Sequence, residues 1–382
     1  MSELKKIGII GGGQLGKMMI LDAKRYGYYI VTLDPTKDCP SHALSDEHII
    51  ADFDDAVAIR ELANKVDVMT YEFEHIHVDI LKVLEKEGHT IYPTPESLAT
   101  IQNKFSQKTS LFEGGIPVPD FYEVTCIEDI LRIGESFGYP MMLKTCTGGY
   151  DGKGNFLIKA VAEVESAYEQ LGSGKHPLMV ERFVDFDLEI SVLACRGIDG
   201  TLAIYPVGEN KHVNSILDET AVPANISDNC TKKAMTMATE VMNIFHGVGM
   251  FCVELFVTKD EKLYVNEVAP RPHNSGHYTI EACLTSQFEN HIRAIVGLPL
   301  GDVTLRTPVV MKNLLGEATG ICKVVGLEKA CQVSKAKVHL YGKKEVKPYR
   351  KMGHITAIGS SVDEARTAAE SAFSKIKIIN EE

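Results

Sequence analysis

Lys144-Thr145-Cys146-Thr147-Gly148-Gly149-Tyr150-Asp151-Gly152-Lys153-Gly154-Asn155 follows directly on an apolar run, Tyr139-Pro140-Met141-Met142-Leu143. The run reads as a strand closed by a lysine, and a loop with four glycines and a second lysine comes after it. Glycines let backbone N–H groups approach phosphate oxygens, and lysines supply positive charge. No Gly-Lys-Ser/Thr opens a helix at the spacing of a Walker A loop. The stretch therefore points to a nucleotide site of another design; the competing reading is a flexible hairpin.

A second segment favours the nucleotide. Phe251-Cys252-Val253-Glu254-Leu255-Phe256-Val257 and Leu263-Tyr264-Val265-Asn266-Glu267-Val268 read as two strands around Lys259-Asp260-Glu261-Lys262. A two-residue turn at Asp260-Glu261 sets Glu254 opposite Glu267, with Cys252, Phe256 and Val265 on the same face. Two facing carboxylates in apolar surroundings repel and are poorly solvated, so they need a cation or a shared proton. Mg2+ takes oxygen ligands and bridges substrate phosphates to one or two carboxylates. Asn266 points away from that face unless a bulge intervenes.

Composition bounds the rest. A chain of 382 residues with 45% apolar and 24% charged residues is ordinary for a globular protein of two or three domains. A net charge of −12 argues against a general nucleic-acid binder. No signal-peptide core opens the chain, and no apolar stretch approaches 18 residues, so no membrane span is expected. Nine cysteines without a Cys-x-x-Cys imply reduced thiols and a cytoplasmic protein.

Three domains are expected: 1–100, a Rossmann-like parallel sheet with helices on both faces; 101–301, holding the glycine loop and the glutamate hairpin; and 302–382, a small mixed α/β unit closed by a helix over Val362–Lys375. In the first, Lys6–Ile10, Tyr29–Asp34, Val66–Tyr71 and His89–Pro93 read as strands, and one helix is expected around Ser97–Phe112. Gly11-Gly12-Gly13-Gln14-Leu15-Gly16 fits G-x-G-x-x-G between strand and helix, with Asp34 placed as a ribose ligand. Alone, that pattern says NAD-dependent dehydrogenase. A dehydrogenase has no need of the paired glutamates or of the Lys144 loop, so the turn is expected to hold a different phosphate ligand. His75 and His77, or His273 and His277, have spacings seen in transition-metal sites, but no third ligand is evident at a fitting distance.

The order of these elements resembles the ATP-grasp superfamily. Within it, Gly148–Gly154, Asn266-Glu267-Val268-Ala269-Pro270-Arg271-Pro272-His273-Asn274-Ser275-Gly276-His277 and Arg350-Lys351-Met352-Gly353-His354-Ile355-Thr356 resemble the N5-carboxyaminoimidazole ribonucleotide synthetases over essentially the whole chain. The nearest alternative is the formate-dependent glycinamide ribonucleotide transformylase family. That family has a serine-rich run where Gly149-Tyr150-Asp151 stands, and Asp-Thr-Gly where Asn274-Ser275-Gly276-His277 stands.

The resemblance implies ATP- and bicarbonate-dependent carboxylation of 5-aminoimidazole ribonucleotide through carboxyphosphate, in purine biosynthesis, by a homodimer. It implies Mg2+ on Glu254 and Glu267, and ATP phosphates on Lys104 and Lys144. The flap Gly149, Tyr150, Asp151, Gly152, Lys153, Gly154 and Asn155 would close over ATP, with Asn266 beside it. Glu181, Arg182, Phe183 and Val184 would border the adenine, Glu189 the ribose, and His212 the nucleotide. The ribonucleotide would meet Gln14, Leu15, Glu72, Tyr150 and Asp151, and its phosphate would meet Lys343, Arg350 and Lys351. Arg271, His273, Asn274 and Ser275 would hold bicarbonate or carboxyphosphate. Asp151 would orient, or take a proton from, the attacking amine.

Overall fold

The computed structural model describes residues 4–149 and 154–381. Four parallel strands form the N-terminal sheet, in the order Glu47–Ile49, Tyr29–Leu33, Lys6–Ile10, Val68–Tyr71. Alternation along Lys6–Ile10 explains its two covered faces. Ile7 and Ile9 pack with Met19 of helix Gln14–Arg25 and with Ile292 of helix Gln287–Val296. Ile10 packs with Leu62 and Leu81 on the other side. One face of this sheet is thus closed by a helix nearly 300 residues along the chain, Gln287–Val296.

Two expected elements differ. His89–Pro93 makes only a single bridge, Met69 to Ile91, because the chain turns away at once into helix Pro95–Gln102. The one helix expected at Ser97–Phe112 is two. Asn103 adopts an extended conformation, and its side-chain oxygen accepts from the N–H groups of Phe105 and Ser106. Asparagine is among the best N-caps, so the break starts a new helix, Lys104–Glu113, with Lys104 as its first residue.

Next comes a four-stranded antiparallel sheet in the order Phe121–Val124, Leu178–Arg182, Met141–Thr145, Asn155–Ile158. A second, larger antiparallel sheet makes up the rest of the unit. Its path runs Leu263–Ala269, Gly249–Val257, Leu188–Arg196, Gly208–Val213, Ile216–Val222, then Val309–Leu315, Lys351–Ile358 and Ala336–Leu340. Three strands after residue 301 therefore continue the sheet of the middle unit, and the other three, Glu345–Val346, Gly320–Val325 and Lys377–Asn380, form a small sheet of their own. The chain does not close on a helix: helix Val362–Phe373 is followed by strand Lys377–Asn380, which pairs with Gly320–Val325.

Candidate active site

The glutamate hairpin forms with a different turn from the one expected. Glu261 is left-handed (φ 54°), and Thr258 N–H bonds to Lys262 O, so three residues make the loop. Near the loop Val257 pairs with Leu263, Phe256 with Tyr264 and Leu255 with Val265. Beyond it Glu254 pairs with Glu267, which leaves Asn266 as the extra residue of a β-bulge. The longer loop moves the register by one and the bulge moves it back. Glu254 and Glu267 face each other as expected, but Val265 does not share their face; it packs with Leu255 in the core. The bulge brings Asn266 Oδ1 to 3.5 Å from Lys144 Nζ.

Helix Lys104–Glu113 grips this hairpin with three residues of one face. Lys104 Nζ lies 2.7 Å from Glu267 Oε2. Gln107 takes both hydrogen-bonding groups of Val268: its Oε1 accepts from the N–H at 2.9 Å, and its Nε2 donates to the carbonyl at 3.0 Å. Lys108 Nζ donates to Val265 O at 2.9 Å. Neither Gln107 nor Lys108 was expected from sequence, although spacings of three and four from Lys104 put all three on one helix face.

Lys144 donates to Glu181 Oε2 at 2.6 Å, and Lys108 stands 3.3 Å from Oε1. Burial would raise the Glu181 carboxyl, but the two ammonium groups outweigh it and hold it down to about 2. Burial lowers Lys108 to about 8, against the pull of Glu181. The Glu181 side chain is therefore an internal counter-ion. Glu254 has no such company: burial and then Glu267 push its carboxyl up to about 7. Burial also works to raise Glu267, but Lys104 and Lys144 keep it below the ordinary range. The donor set of Glu254, Glu267 and the Asn266 amide is all oxygen, and the under-compensated charge sits where a cation would relieve it. The site fits Mg2+.

Around the pair, Arg271 Nε lies 2.8 Å from Glu74 Oε1, and His273 Nε2 lies 3.7 Å from Glu254 Oε1. Burial and the Arg271 charge push the His273 imidazole well below its usual value, so it is neutral. His212 contacts Glu189; burial opposes its charge, but Glu189 and Glu254 outweigh burial and raise it.

The first glycine turn holds a side chain. Glu72 accepts from the N–H groups of Gly13 and, at 2.7 Å, of Gly16, at the start of helix Gln14–Arg25. A Cβ on Gly11 would lie 2.3 Å from Glu72 Cγ, and one on Gly13 would lie 2.5 Å from Glu72 Oε1. Asp34 is 6% exposed and accepts from Gly12 N–H at 2.8 Å. The place that a dinucleotide pyrophosphate needs is filled by a carboxylate of the protein, which removes the dehydrogenase reading. Burial raises the Glu72 carboxyl despite those two N–H groups, and Lys343 is near enough to act against it.

Comparison with known proteins agrees with this geometry. Residues 4–102 match the ribonucleotide synthetase preATP-grasp domain, 109–288 the ATP-grasp domain, and 309–368 the phosphoribosylaminoimidazole carboxylase C-terminal domain. The N5-carboxyaminoimidazole ribonucleotide synthase of Bacillus subtilis is 43% identical, over 94% of this chain and 92% of that protein. The crystal structure of N5-carboxyaminoimidazole ribonucleotide synthetase from Thermotoga maritima is 45% identical with a TM-score of 0.90, covering 99% of this chain and 100% of that one. The chain belongs to the N5-carboxyaminoimidazole ribonucleotide synthetase family. It is an ATP-dependent ligase of purine biosynthesis. A further family structure, from Aspergillus clavatus in complex with ADP and 5-aminoimidazole ribonucleotide, is 34% identical, covers 98% of this chain and 99% of that one, and has a TM-score of 0.89.

The remaining synthetase residues divide into those at the cleft and those turned from it. Lys343 Nζ donates to Lys351 O at 2.8 Å, and Lys351 is close enough to His212 and His273 for its charge to oppose protonation of each, although His212 is raised on balance. Arg350 donates to Glu345 O at 2.8 Å. Gln14 is half-buried at the start of its helix, whereas the Leu15 side chain is in the core, so only its backbone can meet a ligand. Arg182 points outward, with Nε 2.9 Å from Asp120 and its guanidinium over Phe137. Phe183 and Val184 are half-buried beyond the end of strand Leu178–Arg182.

Asn274 and Ser275, the other two residues expected at bicarbonate, are buried and have partners within the protein. Asn274 exchanges amide hydrogen bonds with Asn313 at 3.0 and 2.7 Å. Ser275 Oγ accepts from Ser191 Oγ at 2.9 Å. The base of the flap is fixed, since Lys144 pairs with Asn155 and Thr145 N–H bonds to Gly154 O at 2.8 Å. Gly149 is half-buried just beyond that base. Tyr150, Asp151, Gly152 and Lys153 lie outside the described residues. Cys146 is buried, and burial raises its thiol to about 11, which makes it a packing residue. No helix of the described residues is long and apolar enough to cross a membrane.

Proposed function

We propose that the chain carries out its family's conversion of 5-aminoimidazole ribonucleotide with bicarbonate as the carbon source, Mg2+ held by Glu254 and Glu267, and carboxyphosphate as the intermediate. The observation that carries this reading is the facing glutamate pair with Lys104, Lys144, Arg271 and His273 gathered around it. When bound, the metal neutralises phosphate charge and polarises the transferred phosphoryl group.

Lys104 and Lys144 stand beside the carboxylates, where they stabilise the β- and γ-phosphates of ATP. Bicarbonate is a poor electrophile, and phosphorylation turns it into a mixed anhydride. Arg271, held by Glu74, offers a guanidinium fork to the anhydride. Neutral His273 adds no charge beside Glu254, and Asp151 of the flap orients the attacking imidazole amine or takes its proton. Glu72, anchored on the first glycine turn, holds the ribose of the ribonucleotide, and Lys343, Arg350 and Lys351 hold its phosphate. Carboxyphosphate is destroyed by water, so the flap over residues 149–155 serves to cover it. The assembly is a homodimer, which sedimentation of the free chain tests.

The decisive assay follows ADP release with Mg-ATP and bicarbonate, with and without 5-aminoimidazole ribonucleotide, and traps labelled bicarbonate in the product. Strong stimulation with label incorporated is expected. Turnover with glycinamide ribonucleotide and formate in its place would move the assignment to the transformylase reaction.

A further inference from the structure

Cys252 lies two residues before Glu254 on the same strand, facing the same side, and is fully buried. Its Sγ, a carboxylate oxygen of Glu254 and a ring nitrogen of His273 all lie within 4.8 Å of one another. A thiol, a carboxylate and an imidazole are not the donors Mg2+ selects. They suit a borderline-soft divalent cation, for which affinity rises steeply above that of Mg2+. The His273–His277 spacing does not form such a site, because His277 is packed against His354 with ring centroids 4.6 Å apart. The strand pairing supplies the missing ligands instead.

One hydroxyl supports two of the three donors. Ser275 Oγ is 2.9 Å from His273 Nδ1 and 3.7 Å from Cys252 Sγ, and it accepts from Ser191 Oγ at 2.9 Å. A cation on Nε2 puts the ring proton on Nδ1, aimed at Ser275 Oγ, and gives up the bond that Nδ1 accepts from the Ser275 N–H at 3.3 Å. The Ser275 hydroxyl proton is then directed to the cysteine sulfur. Outer partners of this kind fix the tautomer of a ligating histidine and stabilise a thiolate. Tetrahedral zinc with bonds of about 2.0–2.3 Å needs these atoms drawn together by roughly 1 Å, a movement within reach of side-chain rotation.

We infer that Cys252, Glu254 and His273 form a Zn2+ site within the active site, and that Zn2+ bound there takes Glu254 from Mg2+ and stops turnover. On binding, the Cys252 S–H bond breaks, its proton passes to the buffer, and a zinc–sulfur bond replaces it. The binding part stands on geometry alone; the inhibition part rests on the proposed role of Glu254.

The test uses the full chain without nucleotide. Co2+ serves as the optical probe, and Zn2+ affinity is read by competition with a chelating dye. A thiolate-to-cobalt charge-transfer band is expected in the wild-type chain and in Cys331→Ser, which removes the exposed cysteine. The band is lost in Cys252→Ala and in Cys252→Ser, and Zn2+ affinity falls at least about tenfold. In the carboxylation assay with excess Mg2+, Cys252→Ala keeps its zinc-free rate and needs at least about tenfold more Zn2+ for half inhibition. A band that survives both Cys252 variants, or equal zinc sensitivity of wild type and Cys252→Ala, overturns the site. A wild-type chain inactive in the assay but showing the Cys252-dependent band would refute the reaction and leave the Zn2+ site standing.

Discussion

Glu181 and Glu254 are both glutamates on central strands beside the same cleft, yet the protein treats them oppositely. Glu181, 4% exposed, lies between Lys108 and Lys144 and is held at about 2. Glu254, 25% exposed, faces another carboxylate and is pushed up to about 7. The first has its counter-charges built in and serves the fold. The second is left short of positive charge, which is the condition for binding a cation. Between these two carboxylates the sign of the nearest charge separates the roles; Glu267, with Lys104 at 2.7 Å, shares the proposed metal with Glu254 and lies between the two cases.

The sharpest way to break this contrast is to neutralise each carboxylate in turn. Glu254→Gln is expected to lower turnover by about a thousandfold, equivalent to roughly 4 kcal/mol of lost transition-state stabilisation. It should leave the melting temperature of the free protein unchanged or higher, because it removes a repulsion. A clear fall in melting temperature would put Glu254 in the structural class. Glu181→Gln should do the reverse, destabilising the chain by about 3–5 kcal/mol in denaturant unfolding, since it strands two buried ammonium groups. An unfolding midpoint equal to wild type would remove its structural role.

Acidity separates the two next. The folded-state shift of Glu254 is upward, so its contribution favours the folded free chain at low pH and turns unfavourable as pH rises from the ordinary glutamate range to about 7. Metal binding must displace that proton, so Mg2+ affinity should fall about tenfold per unit below pH 7 and level off above it. Calorimetric titration at pH 6, 7 and 8 reads this directly, and a flat profile would contradict it. The Glu181 shift is downward, so its stabilisation is complete above the ordinary glutamate range and disappears only as pH falls toward 2. Smaller effects are expected at the first glycine turn. Gly13→Ala crowds Glu72 and should raise KM for the ribonucleotide about tenfold, while KM for ATP stays within about twofold. Wild-type chain should leave NADH fluorescence unchanged.

The facing glutamates were legible because hairpin strands impose a period of two and the carboxylates stand out in an apolar run. The reason they face was not. A three-residue loop and a bulge at Asn266 offset one another, and the bulge is held by contacts from Gln107 and Lys108, distant in sequence. Val265 was misplaced for the same reason. The break at Asn103 hid within a helical pattern whose cap depends on one side chain. Asn274 and Ser275 look like ligand residues in sequence, where nothing announces their partners Asn313 and Ser191. Long-range pairing of polar side chains leaves no local pattern to read.

The glycines at 11, 13 and 16 record how closely something anionic comes to a backbone, not what that something is. Here the visitor is Glu72, a tenant supplied by the same chain. A sequence fingerprint for a phosphate and one for an internal carboxylate are therefore the same fingerprint. In any open α/β domain, whether such a turn is a socket or is already plugged depends on the residue that follows a neighbouring strand. In this molecule that residue is Glu72, immediately after Tyr71.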